Sequence, residues 1–177
     1  METKINSRMI YQGKVFTLTK DDVAINNGSI YSKDIVHHNG GCAILARREN
    51  QVLLITQYRY AVGEELYEIP AGKIEGDEDP YESAMRELEE ETGYRCQQLE
   101  LVSTIYPSPG FCTEKIHIYN AKQLYMPPQR RAMDEDECIE VHWIELKQAY
   151  RWIQDGKIRD AKTIIALQHT LLKDIND

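Results

Sequence analysis

Gly72-Lys73-Ile74-Glu75-Gly76-Asp77-Glu78-Asp79-Pro80-Tyr81-Glu82-Ser83-Ala84-Met85-Arg86-Glu87-Leu88-Glu89-Glu90-Glu91-Thr92-Gly93-Tyr94 is the segment from which the rest of this chain can be read. Between Glu75 and Glu91 nine acidic side chains stand against a single base, Arg86, a net charge of −8. The whole chain of 177 residues, with 29 acidic and 21 basic side chains, also carries −8, so everything outside this window balances. An acidic excess gathered in one short segment requires a local reason, and a bound hard cation is the simplest.

The local geometry agrees with that idea. Asp79 is a favourable N-cap, Pro80 suits the first helical position, and Glu82 completes a capping box. Gly93 is placed to end the helix. On a helix with these limits Tyr81, Ala84, Met85 and Leu88 share an apolar arc facing a core. Glu87, Glu90 and Glu91 fall together on an adjacent arc. Like charges at these spacings cost about 0.2–0.5 kcal/mol per pair in an isolated helix. They also lie toward the C-terminal end, where the helix dipole disfavours anions. Mg²⁺ or Mn²⁺ held against them would account for so unfavourable a placement, since these ions take oxygen ligands and are often shared with substrate phosphates. A solvated acidic face is the other reading of the same helix.

The spacing of the whole segment is more specific. Gly72, five residues, Glu78, seven residues, then Arg86-Glu87-Leu88-x-Glu90-Glu91-x-Gly93-Tyr94 resembles the Nudix box at all nine defined positions. Nudix enzymes hydrolyse a nucleoside diphosphate linked to another group and need a divalent cation. The resemblance implies Mg²⁺, with Mn²⁺ as substitute, bound by Glu87, Glu90 and Glu91 and by the main-chain carbonyl of Ala71. It implies that Arg86 orients the glutamates and that Gly72 and Gly93 serve the backbone.

Length and composition suit one catalytic domain with a small extension. The expected division is 1–38, an N-terminal β-sheet extension, and 39–177, the catalytic domain. Residues 1–36 alternate polar and apolar, with Val15–Thr19 and Asp22–Ile25 as strand-like runs, a turn at Asn26-Asn27-Gly28-Ser29, and a further run from Ile30 to Val36. About three antiparallel strands are expected there, too few to be stable without another surface. Further strands are expected at 42–47, 51–58, 65–69, 99–105, 115–120 and 139–144, and helices at 146–155 and 162–172. Mixed strands flanked by helices give an α/β class, and the family resemblance implies an α/β/α sandwich with a mixed sheet. Cys42, Cys96, Cys112 and Cys138 match no zinc or redox spacing. The first residues lack the apolar core of a signal peptide, and no apolar run approaches the roughly 20 residues of a membrane span. The pI near 5.2 argues against coating nucleic acid. A cytoplasmic protein with no nucleic-acid or membrane partner is expected.

Two features outside the box resemble the ADP-ribose pyrophosphatase subfamily. One is Ser108-Pro109-Gly110, with Pro109 fifteen residues beyond Tyr94. The other is Gln57-Tyr58-Arg59-Tyr60, followed by Glu68-Ile69-Pro70-Ala71-Gly72. The resemblance implies that Arg59 contacts the substrate phosphates, that Glu68 is a substrate- or metal-site glutamate, and that Ser108, Gly110 and Glu114 line the substrate. It implies a catalytic base in an acidic loop, here Met133-Asp134-Glu135-Asp136-Glu137, with Glu135 favoured, Glu137 assisting and Glu90 in reserve. It also implies a homodimer packed through the N-terminal sheets. The expected reaction is Mg²⁺-dependent hydrolysis of ADP-ribose to AMP and ribose 5-phosphate. Another nucleoside diphosphate sugar such as GDP-mannose is the alternative substrate. A non-catalytic module that senses ADP-ribose is the reading from a different class, and retention of every box glutamate speaks against it.

Overall fold

The computed structural model describes residues 1–129, 131 and 138–176, the last four by their backbone alone. It divides into two compact units, Met1–Gly40 with Tyr106–Lys115, and Gly41–Ile105 with Ile116–Asp177.

The first unit is an antiparallel sheet of β1 (Thr3–Gln12), β2 (Phe16–Ala24) and β3 (Ile30–His38), in that order. The sequence alone breaks 15–25 into two runs at Lys20-Asp21, whereas the structure carries one strand through these polar residues. Cross-strand chemistry explains it: Lys20 lies opposite Asp34, Asp21 lies opposite Lys33, and Ser7 Oγ donates to Asp21 Oδ1 at 2.6 Å. The first strand is therefore Thr3–Gln12, ahead of both runs. Beside β3 runs the segment Tyr106–Lys115. Val36 N–H donates to Phe111 O at 2.8 Å, Thr113 N–H donates to Val36 O at 2.9 Å, and His38 N–H donates to Thr113 Oγ1 at 3.0 Å.

The second unit holds a seven-stranded mixed sheet. Its strands are β4 (Gly41–Arg48), β5 (Gln51–Arg59), β6 (Glu64–Glu68), β7 (Ala71–Lys73), β8 (Arg95–Ile105), β9 (Ile116–Tyr125) and β10 (Ile139–Glu145). The main path runs β10-β5-β4-β9-β8, and only β4 and β9 are parallel. Strands β4 and β5 pair at Arg47–Val52 and Arg48–Gln51 and then splay. Beyond the splay β6 takes the vacated edge of β5, and β7 takes that of β4. The chain from β6 through Ile69 and Pro70 into β7 thus fills the wedge between two central strands. Pro70 O there accepts a bond from Ile44 N–H at 2.8 Å.

Both faces of this sheet are buried, as strict alternation on β4 requires. Cys42, Ile44 and Ala46 pack with Leu53, Leu99 and Tyr119 against Ala84 and Leu88 of α1 (Pro80–Thr92). Ala43 and Leu45 face the other way, with Val52, Leu54 and Ile118, toward α2 (Leu146–Gln154) and α3 (Ala161–Asn176). The result is the expected α/β/α sandwich. Helix α1 begins and ends where its capping residues require. Asp79 accepts from Tyr81 N–H at 2.8 Å, and Gly93 at φ 72° ends the helix with its N–H on Glu89 O. Tyr81 and Met85 pack against the same cluster as Ala84 and Leu88. Strands β8 and β9 run longer than the runs expected at 99–105 and 115–120, because Arg95 to Gln98 pair with Tyr125 to Lys122 across the ladder, where Cys96 is buried in the core and Leu124 packs against it.

Candidate functional site

The wedge segment and α1 bring the acidic face of the helix against the loop before it. Glu91, 1% exposed, accepts Ala71 N–H on Oε2 at 2.7 Å, which ties the far end of α1 to the start of β7. Glu87, 8% exposed, lies against Gly72 so closely that a Cβ at that position would overlap its carboxylate. Only glycine leaves room there. Arg86 joins loop to helix with one guanidinium. Nε and Nη2 donate to the two oxygens of Glu78 at 3.1 and 3.0 Å. Nη1 donates to Glu87 Oε1 at 2.7 Å and to Glu90 Oε2 at 2.9 Å, and Nη2 reaches Lys73 O at 3.2 Å. The bond to Glu78 is the largest of the effects that hold this guanidinium charged, and the same bond holds the Glu78 carboxyl below the usual range. Behind the loop Cys42 approaches Ser83 Oγ at 3.4 Å, and burial pushes its thiol up to about 11.

The donor chemistry of this face is carboxylate oxygen with a main-chain carbonyl beside it, which fits a hard divalent cation. The cation now bridging Glu87 and Glu90 is Arg86, and among the described residues no three carboxylates converge into a ready cage. The face is held together by an arginine and has the composition to accept a metal.

A second cluster lies across the wedge, on the β5–β6 side. Arg59, at the end of β5, grips Glu68, at the end of β6, through two bonds: Nε to Oε1 at 2.6 Å and Nη2 to Oε2 at 2.7 Å. Glu68 is 1% exposed. Lys162 Nζ of α3 also donates to Glu68 Oε2, and to Asp160 Oδ1 at 3.0 Å. Burial pushes the Glu68 carboxyl up, but the Arg59 bond and the Lys162 charge outweigh it and leave the group below its ordinary value. Arg59 is held charged by Glu68 first, and the charge of Glu91 adds to the effect, so the two clusters share one electrostatic field.

The structure thus gathers Ala71, Arg86, Glu87, Glu90 and Glu91 at one place and brings Arg59 and Glu68 within reach of them. Ser108, Gly110 and Glu114 belong to the first unit. Ser108 O there accepts the N–H of Cys112 at 3.0 Å, closing the turn, and Glu114 Oε1 lies 3.7 Å from His38 Nδ1. Glu135 and Glu137 lie outside the described residues.

A family model described as the NUDIX domain matches residues 36–167. The chain belongs to the Nudix family. Members of this family generally use a divalent metal ion. The methanol dehydrogenase activator of Bacillus methanolicus is 41% identical to this Nudix protein, over 98% of this chain and 94% of the relative. An ADP-ribose pyrophosphatase of Bacillus subtilis (strain 168) is 38% identical over the same shares. A GDP-mannose pyrophosphatase of Cronobacter sakazakii is 35% identical over 88% of this chain and 87% of the relative. A solved structure described as an ADP compounds hydrolase has a TM-score of 0.84, covering 96% of this chain and 91% of its own. At 23% identity that likeness is one of fold.

Three residues packed into these two clusters were missed in the sequence. Lys162 and Asp160 complete the Arg59–Glu68 cluster from a helix about a hundred positions away. One local signal was present: a lysine in the first turn of a helix, where the dipole disfavours cations, needs an anionic partner. Glu89, in an undefined position of the Nudix box, is 2% exposed and anchors Arg95 Nε at 2.7 Å and Arg131 N–H at 3.2 Å. Nothing in the spacing singles it out from its neighbours.

Proposed function

We propose that this Nudix protein hydrolyses the pyrophosphate bond of ADP-ribose, with water, to AMP and ribose 5-phosphate. The observation that carries the reading is the α1 carboxylate face pressed against Ala71 and Gly72, in the electrostatic field of the Arg59 cluster. Near full-length similarity to a protein named an ADP-ribose pyrophosphatase supports the choice of substrate. Glu87, Glu90, Glu91 and the Ala71 carbonyl would hold the divalent ion, Mg²⁺ first and Mn²⁺ as substitute. When bound, such an ion supplies positive charge against the phosphate oxygens and Lewis acidity toward water.

The chain's own residues do the rest. Arg86 keeps Glu87 and Glu90 in one orientation through shared bonds to Nη1. Arg59 spends two of its five N–H donors on Glu68 and presents the others to a phosphate. Ser108, Gly110 and Glu114 are assigned to the substrate by their subfamily resemblance. Glu135, with Glu137 assisting, takes the proton of the attacking water. Residues 1–38 serve as a dimerisation extension and 39–177 as the catalytic domain. The exposed Ile5, Met9, Ile10 and Tyr11 of β1 support a homodimer built on this sheet. The protein is assigned to the cytoplasm, with small nucleotide sugars as its partners. Among the described residues no helix is long and apolar enough to cross a membrane.

GDP-mannose is the second reading, favoured by the similarity to GDP-mannose pyrophosphatases. A nucleotide panel in Mg²⁺ separates the two. ADP-ribose should give the highest kcat/KM, with AMP and ribose 5-phosphate in equal amounts. Preference for GDP-mannose would move the assignment to the second reading. Turnover of neither would overturn both.

A further inference from the structure

We propose that Lys162 is a positioning residue for the substrate phosphates, acting through the Glu68 carboxylate to fix the Arg59 guanidinium. The proposal rests on the reading of Arg59 as a phosphate contact.

Lys162 is placed where a lysine needs a reason. It is 9% exposed and sits in the first turn of α3, against the sign of the helix dipole. A buried ammonium is tolerated only when paired and hydrogen-bonded. Its partners are Glu68 and Asp160. Asp160 also caps the helix, with Oδ2 accepting from Thr163 N–H at 2.9 Å and from Thr163 Oγ1–H at 2.6 Å. Thr163 Oγ1 in turn accepts Ile69 N–H at 2.8 Å. The start of α3 therefore grips the end of β6 twice, at the Glu68 side chain and at the next peptide. Two residues further on the same strand-like segment becomes Ala71, whose N–H binds Glu91.

Arg59 depends on this grip. Among the described residues both of its guanidinium bonds go to Glu68, in a fork-on-fork pair that sets the plane and direction of the guanidinium. Its side chain is 36% exposed, while that of Glu68 is 2% exposed. The glutamate is thus the fixed partner, and the arginine presents its remaining donors outward. Charge counts as well as direction. With Lys162 and Asp160 the four-residue cluster is neutral. Without the Lys162 charge it is an anion at the place where a diphosphate must dock. Removal of Lys162 therefore weakens phosphate binding without touching the attacking water or the α1 carboxylates.

The test is steady-state kinetics on ADP-ribose in saturating Mg²⁺ for Lys162→Met, Arg59→Ala and the double variant. Lys162→Met should raise KM roughly 10-fold to 100-fold, the scale of a charged hydrogen bond, and should change kcat by less than about threefold, the split expected when uniform binding is lost. In the Arg59→Ala background the same change should alter KM by less than about twofold, because the two residues act as one unit. A full KM effect in that background, or a loss confined to kcat, would overturn the proposal. Arg59→Ala alone reports on the underlying reading: an unchanged KM there removes Arg59 from the phosphate site, and this proposal with it, while leaving ADP-ribose hydrolysis itself intact. The Arg59 Nε–H resonance in the substrate-free protein gives a readout apart from activity. It should be sharp in the wild type and broadened in Lys162→Met, and an unchanged line would count against the clamp. If Lys162→Met loses its cooperative melt, Lys162→Gln, which keeps a donor to Glu68 without the charge, carries the same measurements with the same expected signs.

Discussion

Replacing Gly72 by alanine probes the approach of the loop to α1 with a single methyl group. The backbone at Gly72 lies outside the left-handed region, so alanine meets no conformational penalty, and the whole effect comes from its Cβ. That atom falls on the Glu87 carboxylate, well inside the distance at which a few tenths of an ångström of yielding would suffice. Glu87 must swing away and give up its 2.7 Å bond from Arg86 Nη1. Loss of a hydrogen bond between charged groups costs about 1.5–3 kcal/mol. For a chain of this length, each kcal/mol lowers the melting temperature by about 2–4 °C. Activity should suffer more than stability. A misplacement of about 1 Å at a site residue can cost about 10²-fold in rate, and Glu87 has to move at least that far. The assays are a thermal melt and kcat on ADP-ribose in saturating Mg²⁺. The expected variant is folded, slightly less stable, and about a hundredfold slower. A Gly72→Ala protein with wild-type kcat and melting temperature would refute the reasoning.

Three further outcomes are expected. Glu68→Gln leaves Arg59 and Lys162 without their shared anion, which should cost about 3–5 kcal/mol at neutral pH. The Glu68 carboxyl is lowered in the fold, so its contribution is complete above its ordinary value near 4.5 and is lost as pH falls through the folded value; urea melts from pH 7 to 3 should show the gap between wild type and variant closing toward acid, and a gap that widens there would contradict the assignment. Glu135→Gln should lower kcat by about 10²–10⁴-fold with little change in KM. A larger loss in Glu137→Gln exchanges the two roles, and less than a tenfold loss in both moves the base to Glu90. Light scattering at micromolar concentration should report a dimer, and a fully active monomer would rule out the role given to residues 1–38.

Legibility in the sequence followed the range of the interactions. Helix α1 was legible because Asp79, Pro80 and Gly93 act within one turn of their own positions, and because Tyr81, Ala84, Met85 and Leu88 repeat at helical spacing. The strand through Lys20-Asp21-Asp22 was not, since only partners on β1 and β3 make that polar run extended. The same holds for the polar starts and ends of β8 and β9. No strand is expected from the sequence at Ala71 and Gly72, yet with Lys73 they form the short strand β7, because the splay of β4 from β5 opens an edge for them. At the site, the nine box positions marked the acidic face, but the partners of Arg86 had to come from the fold. Arg86 divides its donors among Glu78, Glu87, Glu90 and the Lys73 carbonyl, a set no helical periodicity specifies. Lys162 is the clearest omission. Its importance lies in a tertiary contact, and the only local trace was its wrong sign at a helix N-terminus.

ADP-ribose turnover by the wild type and by Glu91→Gln, each in excess Mg²⁺ and in excess EDTA, tests the central claim most directly. Glu91 joins α1 to the Ala71 peptide from a buried position, so the substitution removes a charge without exposing new surface. Wild-type enzyme in Mg²⁺ should release AMP and ribose 5-phosphate in equal amounts. EDTA should abolish that release, and Glu91→Gln should lower kcat by orders of magnitude while retaining a cooperative melt. Undiminished turnover in EDTA, or in the variant, would contradict a divalent-metal site built on the α1 carboxylates.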